Sequence, residues 1–154
     1  MRGVRREARL DHVYRKLGGV PHPITNKSIF PTFRDTLAFA ALVGFEEEAQ
    51  VRLTGDLLEL DGRLVNEHPQ TMDVVYMIAL AHTKDINILR DDNEDNALLI
   101  FEEFANGGFR IIEGWLKESP EDLAGDKAIL NALRKYGYLR ASEEVESVMG
   151  EIEF

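Results

Sequence analysis

One long helical pattern, from Asp95 to Leu116, constrains the fold of this 154-residue chain more than any other feature. Apolar and small residues recur along it at steps of three and four, the spacing of one face of an α-helix. That face consists of Ala97, Phe101, Phe104, Gly108, Ile112 and Trp115. The pattern predicts the longest helix of the chain and favours a mainly helical fold.

The pattern runs through Asn106-Gly107-Gly108, where two glycines each cost a helix roughly 1 kcal/mol relative to alanine. Gly108 falls on the apolar face, so we expect either that another helix crosses closely at this point or that the helix breaks and restarts. Between a broken helix and a continuous one, we favour a continuous helix with a kink.

Three further helical patterns precede the long one. The first runs from Val4 to Leu17 and ends at a glycine pair, before a proline-containing extended linker. The second begins at the N-cap Thr32 and stops at Gly44, and it is apolar enough to be buried on most sides. The third begins at Thr71 and ends near His82.

A strand-like pattern interrupts these helices. Leu57–Leu60 and Arg63–Val65 flank Asp61-Gly62, a dipeptide typical of a two-residue hairpin turn. After a cap at Ser119-Pro120, two short helices are predicted. They lie around residues 129–136 and 142–149.

These patterns predict a fold that is mainly α with one short β-hairpin (α+β). Composition agrees, because 44% hydrophobic and 30% charged residues are typical of a globular chain, and the length fits one core. We expect a compact single domain over residues 1–154, in which residues 1–28 form a basic N-terminal helix or arm and an extended linker.

The charge is unevenly distributed. The formal net charge is −10, yet residues 1–35 hold eight basic and three acidic side chains, a net +5, which leaves −15 for the rest. Six basic residues of the arm are candidate DNA-phosphate contacts: Arg2, Arg5, Arg6, Arg9, Arg15 and Lys16. Alternatively, the arm pairs with the chain's own acidic face or with a neighbouring subunit of a homo-oligomer.

Residues that would support catalysis are sparse. The chain has no cysteine, its four histidines do not stand at metal-ligand spacings, and its glycines form no phosphate loop. We therefore expect no enzymatic activity, no catalytic residues and no cofactor. Without a signal peptide or a long apolar stretch, the expected location is the cytoplasm, away from membranes.

An acidic segment suggests one weak metal site. Asp91, Asn93, Asp95 and Glu102 match positions one, three, five and twelve of a calcium-binding loop. However, Asn96 occupies the position that requires glycine, so the alternative is that these carboxylates cap the following helix.

Three segments of the chain resemble one protein family. They are residues 29–41 (IFPTFRDTLAFAA), 78–85 (IALAHTKD) and 100–108 (IFEEFANGG), in order within residues 29–117. In these three segments the chain is similar to the Dnd system-associated protein 4 family. That family accompanies bacterial DNA phosphorothioation loci, in which sulfur replaces a non-bridging phosphate oxygen, and their restriction partners.

The resemblance implies a role in phosphorothioate-linked restriction, a defence against foreign DNA, and it carries over no catalytic residues. Since the chain lacks cysteine, it cannot carry sulfur as a persulfide, so the expected role is binding. The first hypothesis is an accessory or adaptor protein that binds other proteins of the same defence system. The alternative is a DNA-binding or regulatory module that contacts phosphates through the basic arm.

Overall fold

The structure is a computed structural model that describes residues 1–139, and the long predicted helix lies at its centre. Six α-helices and two β-strands occur in this range. They are β1 (Val4–Glu7), α1 (Asp11–Gly18), α2 (Phe33–Glu46), β2 (Leu57–Leu60), α3 (Gly62–Asn66), α4 (Pro69–Thr83), α5 (Glu94–Glu118) and α6 (Asp126–Lys135). Short 3₁₀ turns at Ala8–Leu10, Ile86–Leu89 and Asp91–Asn93 complete the path. The helix predicted over residues 142–149 lies outside the described residues.

Helix α5 is continuous through both glycines, as predicted, and α2 crosses it there. A Cβ atom on Gly108 would overlap the backbone of Ala40, and a Cβ on Gly44 would overlap the backbone of Phe104. Each helix therefore presents a glycine to the other's backbone. This close approach is the physical reason why α5 tolerates residues that weaken an isolated helix.

The core forms around this crossing. Its largest fully buried side chains come from α5, α1, α2 and α4, and include Phe101, Phe109, Leu17, Leu37 and Ile78. The prediction of a mainly helical fold with a two-stranded antiparallel sheet is confirmed.

The predicted strand Leu57–Leu60 is confirmed as β2, but the predicted partner strand was wrong. β2 pairs not with Arg63–Val65 but with Val4–Glu7, with Val4 opposite Leu60. Asp61 has a φ of −52°, whereas the predicted turn needs a positive φ, and its carboxylate accepts a hydrogen bond from the Arg63 backbone N–H. Asp61 thus caps α3, and the first predicted helix begins only at Asp11.

Helix boundaries were predicted with mixed success. Thr32 caps α2 as expected, although the helix continues past Gly44. His68 rather than Thr71 caps α4. The predicted start of the next helix at Ser119-Pro120 was wrong, because α6 begins at Asp126, after Gly125.

Candidate functional site

A polar row on α5 holds the N-terminal strand. Glu102, Asn106 and Arg110 stand four residues apart, so they lie on one side of the helix, which contacts β1. Asn106 Nδ2 donates to the backbone oxygen of Val51 over 3.1 Å, which fixes the chain before β2. We call these three residues, together with Arg2, Arg5 and Glu7, the ion-pair junction.

Glu102 is the most engaged carboxylate of the junction, and its side chain has no exposed surface. Arg5 donates to it from Nη2 over 2.9 Å, from the backbone N–H over 2.8 Å and, over a longer distance, from Nε. Arg2 donates to it as well, through both terminal nitrogens. One buried carboxylate on α5 is therefore shared by two arginines of the arm.

Glu7 forms the second centre of the junction. Its carboxylate accepts from Arg110 Nη2 over 2.8 Å and from Thr54 Oγ1 over 3.1 Å. Burial alone would raise the pKa of Glu7, but hydrogen bonds from Asn106 and Thr54 and the charges of Arg110 and Arg9 outweigh it. The net result is a lowered pKa, so the group is ionised at neutral pH.

Two further arginines of the arm, Arg6 and Arg15, pair with Asp11. Arg6 donates to its carboxylate over 2.9 Å and Arg15 over 2.6 Å, while the Arg6 guanidinium lies 3.9 Å from the ring centre of Tyr14. Burial raises the pKa of Asp11, but hydrogen bonds from Arg15 and Arg6 outweigh that effect and lower it.

The six candidate DNA contacts thus fall into two groups. Arg2, Arg5 and Arg6 are largely buried within intramolecular ion pairs, with only 10% of the Arg6 side chain exposed. Arg9 and Arg15 also lie near carboxylates, yet their side chains are 60% and 63% exposed. Lys16 is half-buried. The arm therefore packs on its own chain, the alternative stated from the sequence.

The four candidate calcium ligands do not form one cluster, although Asp95 and Glu102 both pair with Arg2. Asp91 and Asn93 belong to a 3₁₀ turn and Asp95 to the first turn of α5, while Glu102 faces Arg2 and Arg5. Within residues 1–139, no group of three or more histidine, aspartate or glutamate side chains is placed to hold a metal ion.

A second feature, missed in the sequence, lies on the opposite side of α2 from its crossing with α5. Residues of α2, α6 and the turn after α6 line an apolar groove of about 450 Å³. Its lining is Phe39, Leu42, Val43, Phe45, Glu46, Leu133 and Tyr138. We call this the α2–α6 groove.

Helix α2 is buried on most sides, as predicted, and the groove lies on its remaining side, where Leu42, which is 43% exposed, and Glu46 are the exposed residues of the helix. The signal was present in the sequence: α2 is apolar around most of its circumference, and α5 can cover only one face. Tyr138 fixes one wall, because its hydroxyl donates to the Glu47 carboxylate. Burial, and then that hydrogen bond, raise the pKa of Tyr138, so it remains a donor at neutral pH.

A polar hollow of about 470 Å³ adjoins the groove and shares Phe45 and Glu46 with it. Glu48, Gln50 and His82 supply its polar lining. Together the two depressions form a surface that is apolar at one end and acidic at the other.

The described residues form a mainly helical protein with two candidate sites, the ion-pair junction between β1 and α5 and the exposed α2–α6 groove. The model of the family described as DNA sulphur modification system-associated protein 4 matches residues 6–148, and the chain belongs to this family. The resemblance found in the sequence is confirmed, and it extends well beyond residues 29–117. Neither a curated protein nor a solved structure gave a significant match.

The family places the chain in association with the DNA sulphur modification system. None of the helices within residues 1–139 is both long enough and apolar enough to span a lipid bilayer.

Proposed function

We propose that the protein is an accessory or adaptor protein of a bacterial DNA phosphorothioation-linked restriction system, a defence against phage. It acts by binding other proteins of that system and performs no catalysis. Its membership of the family supports the association with the system. The charge distribution of the chain supports binding to protein.

The observation that carries this proposal is the internal use of the basic arm. Glu102, Glu7 and Asp11 pair with the arginines of residues 1–15 in ion pairs of the chain itself. The arginines that could attract DNA therefore already have carboxylate partners within the chain, and the residues after 35 carry a formal −15. An acidic surface repels phosphates and favours partners with complementary charge, so a protein partner fits better than DNA.

Size-exclusion chromatography of the purified full chain, mixed with proteins encoded in the same system, tests the proposal. We expect a complex that elutes earlier than either component and that weakens as salt is raised, because exposed charges are screened. Elution of the chain on its own with every component would contradict the proposal.

A second candidate function is DNA contact through the arm, and the exposure of Arg9 and Arg15 favours it. If these residues bind phosphates, the affinity for duplex DNA falls steeply with salt, and each Ala substitution lowers the salt slope by about one. Arg63→Ala is the matched control, since Arg63 is an exposed arginine outside the arm. Ordinary and phosphorothioated duplexes should be compared.

A further inference from the structure

We infer that the α2–α6 groove is the docking site for a basic amphipathic helix of a partner protein. This inference rests on the proposed function, because it names the surface and the kind of segment through which an adaptor would bind.

The floor of the groove is a preformed aromatic layer. Phe39 packs on Phe30 with ring centres 4.8 Å apart, and Phe45 meets Phe104 edge to face at 5.4 Å. Phe104 belongs to the buried core, so the floor of the groove rests on the core of the molecule. Apolar anchors of a partner would therefore enter a shaped site with little ordering cost.

The groove lies along α2, with α6 and Tyr138 forming its other wall. Side chains of a third helix pack between the ridges of two others, and helix-in-groove binding uses apolar anchors at i, i+3, i+4 and i+7. The only strand pair of residues 1–139, β1 with β2, does not contribute to the lining, so no strand edge is offered there. A helix is the segment that fits this surface.

The charge of the rim specifies a cationic partner. Glu46, Glu47 and Glu48 are exposed at the C-terminal end of α2, where the helix dipole is negative and cations are normally favoured. Within residues 1–139, no basic side chain lies within 4 Å of these three carboxylates. Lys or Arg residues of the partner helix, placed beside its apolar anchors, would relieve the repulsion among these three carboxylates.

The polar hollow extends the acidic rim beyond α2. Gln50 lines the hollow, and its Nε2 donates to Glu103 over 2.7 Å, which places a fourth carboxylate next to Gln50. A helix whose apolar face lies over Phe45 would thus present its cationic flank to this acidic hollow.

The test uses the full chain and a labelled synthetic 18-residue helical peptide with Leu at i, i+3, i+4 and i+7 and Lys on its flanks. Fluorescence anisotropy should show saturable binding. A peptide with Ser in place of each Leu, and one with Glu in place of each Lys, should each bind at least about tenfold more weakly. Equal binding of the lysine peptide and its serine version would mean that charge alone attracts it, and would overturn the inference.

Two substitutions locate the binding on the chain. Leu42→Ser removes an exposed apolar anchor and should weaken binding about tenfold, while Glu46→Gln should weaken it about threefold and lower its salt dependence. The matched controls are Ile86→Ser, at a residue 73% exposed on another surface, and Glu121→Gln. Glu46→Gln leaves the core intact, so it decides the question even if Leu42→Ser folds poorly. Losses of the same size in the controls would overturn the inference.

A photocrosslinking residue at position 42 identifies the occupant. Cross-links to the lysine peptide support the inference. If, in the presence of the lysine peptide, the residue still cross-links to residues 140–154 of the same chain or to a second copy, the groove has another occupant and the inference is overturned. A complex with the system's proteins that Leu42→Ser leaves unchanged would refute the groove alone, whereas the absence of any complex would refute the proposed function.

Discussion

Glu102 is the side chain that ties the N-terminal strand to the central helix. Glu102→Gln would leave Arg2 and Arg5 without their shared charge, while the Gln side chain stays buried. We expect the free energy of unfolding to fall by about 1–3 kcal/mol. This is less than for a fully buried pair, because both arginines keep contact with water. Urea denaturation measures the change.

Glu103→Gln is the control for that substitution, because it makes the same chemical change one residue further along α5. Glu103 hydrogen-bonds to Gln50 at the surface, so its loss should alter stability by no more than about 0.5 kcal/mol. Equal effects of the two substitutions would contradict the role assigned to Glu102.

Glu7 gives stability a defined dependence on pH. Its pKa in the folded protein lies below the ordinary value of 4.5, so its stabilising contribution is complete above that value and is lost as the pH falls below it. The stability advantage of the wild type over Glu7→Gln should therefore shrink as the pH is lowered from about 5 to about 3. Urea denaturation series at several pH values measure this difference, and an advantage that stays constant or grows would refute the account.

At the scale of elements, the crossing of α2 and α5 depends on the absence of side chains. Gly108→Ala places a methyl group against the backbone of Ala40, which no rotamer change can relieve. The expected loss of stability is about 1–3 kcal/mol, even though alanine favours the helix itself. Thermal unfolding reports the difference.

Gly114→Ala provides the comparison within the same helix. Gly114 is exposed, and no atom lies within 4 Å of an added Cβ, so this substitution should stabilise the protein by up to about 1 kcal/mol. If Gly108→Ala also stabilised the protein, the close crossing would be absent.

Local signals predicted some elements well and others poorly. The periodicity of α5 and the Thr32 cap of α2 are encoded within a few residues, and both were recovered from the sequence. The pairing of Val4–Glu7 with Leu57–Leu60 joins segments about fifty residues apart. An apolar stripe through Val4 fits a helix equally well, so only the tertiary contacts of Arg5 with Glu102 decide for a strand.

At the scale of the whole molecule, charge segregation was visible in the sequence but its outcome was not. The counts defined a basic arm on an acidic body, whereas the pairing of the arm's arginines with carboxylates of the same chain became visible only from the positions of Glu7, Asp11 and Glu102. The α2–α6 groove could not be predicted from the sequence for a related reason. Periodicity shows that α2 is apolar, but not which of its faces the neighbouring helices leave exposed.

We propose that the protein serves the DNA sulphur modification system by binding protein rather than DNA. The most direct test of this claim is purification of the tagged full chain from cells that carry the system, with nuclease treatment and identification of co-purified proteins by mass spectrometry. We predict that components of the system are recovered and that nuclease does not release them. Recovery of the chain alone, or of components that nuclease removes, would contradict the claim.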